Sequence, residues 1–212
     1  MGLNSGAPTP HPPPMTQPSL FAPGPGLPEG FRYAPDLLDP GEERSLVAEI
    51  ARLPFQAFQF HGFEGKRRVV SFGWRTDFDD ASLNRGEPIP AFLTGARASA
   101  ARFAGLEADA LEQLLVTEYA PGAPIGWHRD RAAFAEVVGV SLRAPCTFRF
   151  RRRSGKDWAR ASLTLAPRSA YVLRGPARTQ WEHSIPAVEA LRYSLTFRTL
   201  AGSPAGRRRV AE

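Results

Sequence analysis

Two histidines and one aspartate stand out in this 212-residue chain as residues able to do chemistry together. His128 and Asp130 are two apart, and on an extended strand residues i and i+2 project from the same face, so a ring nitrogen and a carboxylate oxygen point at one spot. His183 lies far down the chain, in Trp181-Glu182-His183-Ser184-Ile185-Pro186. Two imidazoles and one carboxylate cover one face of an octahedral metal and leave three positions open, the donor set of non-haem Fe(II) oxygenases. The competing reading makes His183 a satisfied core histidine beside a turn. His11, in a proline-rich stretch, and His61, in a glycine-flanked loop, are expected to be solvated or structural. With Cys146 as its single cysteine, the chain can form neither an internal disulfide nor a zinc knuckle. A bound metal must therefore be held by His, Asp or Glu.

A second constellation follows His183 by nine residues. In Leu191-Arg192-Tyr193-Ser194-Leu195-Thr196-Phe197-Arg198, Leu191, Tyr193, Leu195 and Phe197 form one strand face, and Arg192, Ser194, Thr196 and Arg198 the other. A polar outer face on a half-exposed sheet accounts for this pattern. So close to a metal-ligand candidate, a bidentate arginine aimed at a small dicarboxylate accounts for it more economically.

Tyr119-Ala120-Pro121-Gly122, then Gly126-Trp127-His128-Arg129-Asp130, then His183, then Arg192 to Arg198, taken in order, resemble the AlkB family of Fe(II)- and 2-oxoglutarate-dependent dioxygenases over about residues 30 to 200. The resemblance implies a double-stranded β-helix, or jelly roll, with His128, Asp130 and His183 on iron. It further implies that Arg192 grips the distal carboxylate of 2-oxoglutarate, that Tyr119 hydrogen-bonds this cosubstrate, and that Arg198 lies toward the substrate. O₂ is the other cosubstrate, and oxidative demethylation of an N-alkylated base, releasing formaldehyde, is the implied reaction. Thr117 and Ser194 occupy cofactor-side positions where the family often has Asn; each keeps a hydrogen-bonding group of shorter reach. Ala132 stands where repair members carry a second acid against the flipped base, so cofactor use is the firmer implication and substrate identity the weaker.

The elements that must position these groups are legible in part. Residues 1–30 hold nine prolines and five glycines, a composition that buries too little apolar surface to order itself, and are expected to be a disordered leader. One domain over residues 31–200 should follow, then a basic tail over 201–212 with Arg207, Arg208 and Arg209. Asp39-Pro40-Gly41-Glu42-Glu43 ahead of Leu46, Val47, Ile50 and Leu53 predicts a helix over roughly 40–52; Pro90, Phe92, Leu93, Ala96, Ala100 and Gly105 predict a second over about 89–103. After these two helices the period becomes two: strands are expected over Leu111–Tyr119 and Val137–Leu142, in a hairpin around Arg153-Ser154-Gly155-Lys156, and over Ser162–Leu165, Ser169–Arg174 and Leu191–Thr199. The expected fold class is α+β, mainly β, with the two helices packed on one side of the jelly roll.

The net charge of +6 and pI near 10.2 make a polyanionic partner, DNA or RNA, the natural one. Arg143 to Arg178 contains ten basic residues and a single acid, Asp157. In His61-Gly62-Phe63-Glu64-Gly65-Lys66-Arg67-Arg68, followed by Phe72 and Trp74, basic side chains could take phosphates while an aromatic ring stacks on an extruded base. Lys66, Arg67, Arg68 and Trp74 are thus the expected substrate contacts, an ordinary basic hairpin being the alternative. No apolar run of membrane-spanning length and no signal-peptide pattern occurs, and a cytoplasmic monomer is expected. Two rivals share the residues: the same oxygenase chemistry on a protein or a modified tRNA, and a nucleic-acid-binding jelly roll whose metal site is vestigial.

Overall fold

A computed structural model describes residues 26–60, 63–76 and 83–203. The expected leader as far as Pro25 with His11, the loop residue His61, and Arg207 to Arg209 lie outside the described residues. In chain order the elements are β1 (Phe31–Ala34), α1 (Pro40–Ile50), β2 (Gln56–Phe60), β3 (Phe63–Phe72), β4 (Trp74–Thr76), β5 (Leu83–Arg85), α2 (Thr94–Ala104), β6 (Gln113–Tyr119), β7 (Ile125–His128), β8 (Phe134–Leu142), β9 (Cys146–Ser154), β10 (Asp157–Leu165), β11 (Ala170–Leu173), α3 (Gly175–Thr179), β12 (Glu182–Ile185) and β13 (Arg192–Leu200).

Period-two alternation builds two facing antiparallel sheets. The major sheet runs β1-β11-β8-β13-β6-β3-β2 and the minor sheet β10-β9-β12-β7, with β4 and β5 as a separate hairpin. On β9, Cys146, Phe148 and Phe150 are buried while Thr147 and Arg153 are exposed, so the minor sheet turns one face inward and the other outward. Between the sheets lie Phe31, Tyr119, Val137, Phe148, Phe150, Leu165, Tyr171, Leu173 and Trp181. The other face of the major sheet, with Val116, Val138, Val140, Leu195 and Phe197, packs beneath Leu46 and Ile50 of α1 and Ala96, Ala100 and Ala104 of α2.

Both expected helices form, and for the expected reasons. Asp39 Oδ1 accepts from the Gly41 and Glu42 backbone N–H groups at 2.6 and 2.9 Å, and Glu42 Oε2 accepts from the Asp39 N–H at 2.8 Å. This reciprocal cap contributes about 1 kcal/mol. A 3₁₀ turn over Ala91–Leu93 leads into α2, which stops at Gly105 with φ 68°, the left-handed position that glycine adopts without a Cβ clash.

The expectation that two helices precede all the strands does not hold. β1 comes before α1, and β2 to β5 lie between the helices. β1 is four residues long and is held as an edge strand by pairing Phe31 to Leu173 through Ala34 to Ala170, a partnership sequence spacing cannot show. The short helix α3 is also additional, and the strand expected from Ser162 begins at Asp157, because the hairpin turn pairs its full length with β9.

Candidate active site between the sheets

The arginine-bearing strand β13 lies between β8 and β6, and its register fixes what surrounds each polar side chain. Arg192 is opposite Tyr119, Ser194 opposite Thr117 and Ser141, and Arg198 opposite Gln113 and Val137. This is the inward face, since Tyr119 and Val137 belong to the core between the sheets. The reading of a polar outer face is thereby removed: Arg192 is 0% exposed, and Thr117, Ser141 and Ser194 are buried beside it.

Across the gap, the minor sheet supplies the histidines. His183 on β12 pairs in register with His128, the last residue of β7. Their ring centroids are 4.2 Å apart, and Phe148 flanks the His183 ring at 5.2 Å. Asp130 lies just beyond the end of β7 rather than on the strand, and its Oδ2 stands 3.7 Å from His183 Nε2. The three residues predicted to converge therefore do converge, although the third arrives by a loop. On the facing sheet, glycine at 139 makes room for the Tyr171 ring, which a Cβ there would strike; this ring is tilted against Phe148, with centroids 4.8 Å apart.

Hydrogen bonding aims each donor. The Gly126 carbonyl at 2.9 Å from His128 Nδ1 can only accept, so Nδ1 carries the proton and Nε2 keeps its lone pair. Arg198 donates from Nε and Nη2 to Asp130 Oδ1, both at 2.8 Å, and from Nη1 to Gln113 Oε1 at 2.8 Å. Gln113 Nε2 continues to Ser71 Oγ at 3.1 Å, and Ser71 donates to the Trp74 carbonyl at 3.0 Å. Arg178 of α3 donates from Nη2 to the Arg131 and Phe134 carbonyls at 2.5 and 2.8 Å, which pins the loop that follows Asp130.

Protonation follows from this setting. Burial pushes the His183 imidazole down to about 3, with His128 adding to it and Asp130 opposing. Burial likewise lowers His128, against its bond to the Gly126 carbonyl. Burial by itself would raise Asp130, but Arg198 foremost, then the two histidines and Arg178, hold its carboxyl well below the usual carboxylate range. Neutral imidazoles and an ionised carboxylate are the forms that ligate a metal. Among the described residues no three His, Cys, Asp or Glu side chains are gathered as a finished metal cage. What fits iron is the chemistry of the donors, two imidazoles from the paired strands β7 and β12 and one carboxylate from the loop after β7, and not a closed geometry.

On the cosubstrate side one buried donor is left unsatisfied. Arg192 Nε donates to Ser141 Oγ at 3.1 Å and its guanidinium lies 5.0 Å from the Tyr119 ring centroid, yet Nη1 is buried with no hydrogen-bond partner. A buried charged group left short of partners costs several kcal/mol. A small dianion lying along Tyr119, Thr117 and Ser194 would satisfy it.

Two expectations about substrate contacts change. Arg198 is committed to Asp130 and Gln113, so it acts behind the metal-ligand candidate instead of facing a substrate. Lys66, Arg67 and Arg68 do not form one patch, because successive residues of β3 point to opposite faces of the major sheet, and from Arg67 onward the ladder with β6 is unbroken. Arg67 lies opposite Tyr119 on the inward side and stacks on Phe58 at 3.7 Å, with burial lowering its guanidinium pKa. Arg68 points to the helix side, donating to Glu118 Oε1 at 2.7 Å, and Lys66 is exposed. Trp74 is on the separate hairpin, with the Arg85 guanidinium 5.3 Å from its ring centroid. Gln113, Ser141 and Arg178 were not singled out in the sequence; for Gln113 a signal existed, since 113, 117 and 119 share one strand face.

Comparison with known proteins agrees with this arrangement. The sequence profile of the 2OG-Fe(II) oxygenase superfamily matches residues 30–198. An Arabidopsis thaliana protein named alkylated DNA repair protein ALKBH8 homolog is 29% identical over 182 residues, covering 74% of this chain and 51% of that protein. The Xenopus tropicalis tRNA (carboxymethyluridine(34)-5-O)-methyltransferase alkbh8 is 27% identical over 169 residues, covering 76% of this chain and 26% of that protein. The chain thus spans about half of the first relative and a quarter of the second. Among solved structures, OsALKBH1 superposes with a TM-score of 0.60 at 14% identity over 80% of this chain and 96% of that one, and a Burkholderia pseudomallei oxidoreductase of the 2OG-Fe(II) oxygenase family with 0.58 at 19% identity over 84% and 89%. At these identities the structures speak for the fold, which is the expected jelly roll.

Proposed function

This chain belongs to the 2OG-Fe(II) oxygenase superfamily and is AlkB-like, and on that premise we propose that it oxidises an alkylated or otherwise modified base in a nucleic acid. The observation that carries the reading is the buried, incompletely satisfied Arg192 on the major sheet, facing His128 and His183 of the minor sheet across the interior. Fe(II), with 2-oxoglutarate and O₂ as cosubstrates, supplies the oxidising chemistry when bound.

The residues of the chain do the placing. His128 Nε2, His183 Nε2 and Asp130 Oδ2 would hold the metal, with Oδ1 retained by Arg198 so that the carboxylate presents a single oxygen. Arg192 would receive the distal carboxylate of 2-oxoglutarate in a charge-assisted fork, while Tyr119 would donate its hydroxyl, which burial keeps protonated by raising its pKa. Thr117 and Ser194, adjacent across β6 and β13, line the remaining length. Arg198 and Arg178 act on Asp130, Arg67 on His128 and Arg192 on Tyr119, so the site carries more positive than negative charge before a dianion enters. Arg67, opposite Tyr119, would meet a phosphate of the target nucleotide, with the exposed Lys66 and Trp74 of the separate hairpin as further candidate contacts. Among the described residues no helix is long and apolar enough to cross a membrane, and a monomer acting in the cytoplasm completes the proposal.

Oxidative N-demethylation, as in alkylation repair, is the first reading of the reaction. Ala132, in place of a base-contacting acid, and relatives named for a tRNA carboxymethyluridine favour a second, in which a modified tRNA uridine is oxidised. A panel of methylated DNA and RNA oligonucleotides and of tRNA, assayed with Fe(II), ascorbate and 2-oxoglutarate, separates them. Formaldehyde from N-methylated bases supports the first, and mass-shifted tRNA nucleosides without formaldehyde support the second. A wild-type protein that converts 2-oxoglutarate with none of these polymers overturns the nucleic-acid assignment.

A further inference from the structure

The outward face of the minor sheet carries an alternation of arginine and tryptophan that the site does not use. Arg149 and Arg151 of β9 place their guanidinium carbons 5.0 and 4.6 Å from the ring centroid of Trp127 on β7. Arg151 and Arg153 do the same to Trp158 on β10, at 4.5 and 5.2 Å. The ladder puts Arg160 directly opposite Arg151, so four guanidinium groups and two indoles share one face.

The indoles offset part of the repulsion among these arginines, and the face still gathers charge of one sign. Like charges directly opposite one another on a sheet are destabilising, and a surface evolved for solubility alone mixes the signs. Glu182 offsets one charge, accepting from Arg151 Nε at 2.6 Å. Arg149, Arg153 and Arg160 have no carboxylate at ion-pair distance among the described residues, Arg149 donating instead to Ser184 Oγ at 3.1 Å. Arginines at i, i+2 and i+4 recur every ~6.6 Å along β9, a row of charges suited to a ligand that repeats its own charge along a line. The indoles between them offer flat faces, which an acidic peptide does not need and a nucleobase does.

We propose that this arginine–tryptophan face is a docking platform for a single-stranded segment of nucleic acid, its phosphates on Arg149, Arg153 and Arg160 and a base against Trp127 or Trp158. Trp127 is next in sequence to His128, and Glu182 to His183, so the platform is the reverse side of the wall that presents the histidines. A strand held there lies outside the reaction site, and the platform's role is to retain the polymer flanking the reacting nucleotide. That role rests on the proposed function; the binding itself does not.

The experiment measures binding of an unmodified 20-nucleotide single-stranded RNA by fluorescence anisotropy across a salt series, for wild type and for Arg149→Gln/Arg153→Gln/Arg160→Gln, with thermal melting to confirm folding. Each phosphate that is no longer neutralised should reduce the log–log salt slope by about 0.7, so the triple variant should bind at least tenfold more weakly at low salt with a slope shallower by up to about two. Trp158→Leu, which leaves every charge in place, should weaken binding about fivefold or more with the slope unchanged. The same affinity and slope in the triple variant overturn the platform, as does poly-glutamate binding to wild type as tightly as RNA. Succinate formation from 2-oxoglutarate without nucleic acid is followed in parallel. If the platform is right and the substrate reading wrong, RNA binding falls in the variants while no modified oligonucleotide stimulates turnover. In the opposite case turnover is stimulated with the same KM in wild type and variant.

Discussion

Arg198 holds Asp130 by one oxygen only: Nε and Nη2 both donate to Oδ1 at 2.8 Å, and Oδ2 is left facing His183 Nε2 at 3.7 Å. A carboxylate so clamped cannot rotate to chelate through both oxygens, and its charge is retained even though it is buried. Removing the clamp should loosen the metal without removing a ligand. Arg198→Met is expected to lower affinity for Co(II), used as a spectroscopic stand-in, by about 10–100-fold, read from the visible absorption titration. Affinity equal to wild type would show that Asp130 is positioned by other means.

Gln113 extends that clamp outward, accepting from Arg198 Nη1 at 2.8 Å and donating to Ser71 Oγ at 3.1 Å. Gln113→Leu leaves the Arg198 Nη1 donor buried without its acceptor and should cost about 1–3 kcal/mol of stability, measured by urea unfolding, with a concurrent drop in metal affinity. Gln113→Glu keeps an acceptor for Arg198 and should restore the Co(II) spectrum. If both variants titrate like wild type, the contact is packing alone.

For the cosubstrate, the expectation concerns ligand-linked stability. A molecule that binds only the folded state raises Tm in proportion to the logarithm of its concentration, and 2-oxoglutarate with Mn(II) should do so for wild type. Arg192→Lys keeps the charge but not the fork, so the shift should shrink and KM for 2-oxoglutarate rise with little change in kcat. An undiminished Tm shift in Arg192→Lys would remove Arg192 from the cosubstrate site.

Acid stability of the metal-free protein should carry the signature of His183. Its folded pKa is depressed to about 3 from 6.5, so below pH 6.5 the unfolded chain binds a proton that the folded chain refuses. Stability is complete above about pH 6.5 and falls progressively as pH drops toward the folded value, by at most about 1.4 kcal/mol per pH unit from this one group. Asp130, also depressed, adds its loss only below about pH 4, so between about pH 7 and 4.5 the slope of the urea midpoints comes from the two lowered histidines, His183 and His128. His183→Gln should flatten that limb, and an equally steep limb in the variant would mean that His183 is protonated in the fold.

The nearness of His128 and Asp130 was legible from their two-residue spacing, although Asp130 comes by a loop and not by the strand, and alternation on β13 puts Arg192 and Arg198 on one strand face. Both helices were legible from caps and periodicity, down to Asp39 and Gly105. What the sequence could not show depends on which strands become neighbours. Arg198 meets Asp130 because β13 brings it to the loop after β7, and β1 exists because β11 offers it an edge. Each is a consequence of long-range register, which leaves no periodic trace in the segment itself.

The most direct test of the proposed metal centre is succinate formation from 2-oxoglutarate under limiting Fe(II), compared between wild type and His128→Ala, Asp130→Ala and His183→Ala. Iron-dependent succinate in wild type, and a fall to the no-enzyme background in each folded variant, is the predicted result. Turnover at the wild-type rate in any one of the three would contradict the assignment of His128, Asp130 and His183 as its ligands.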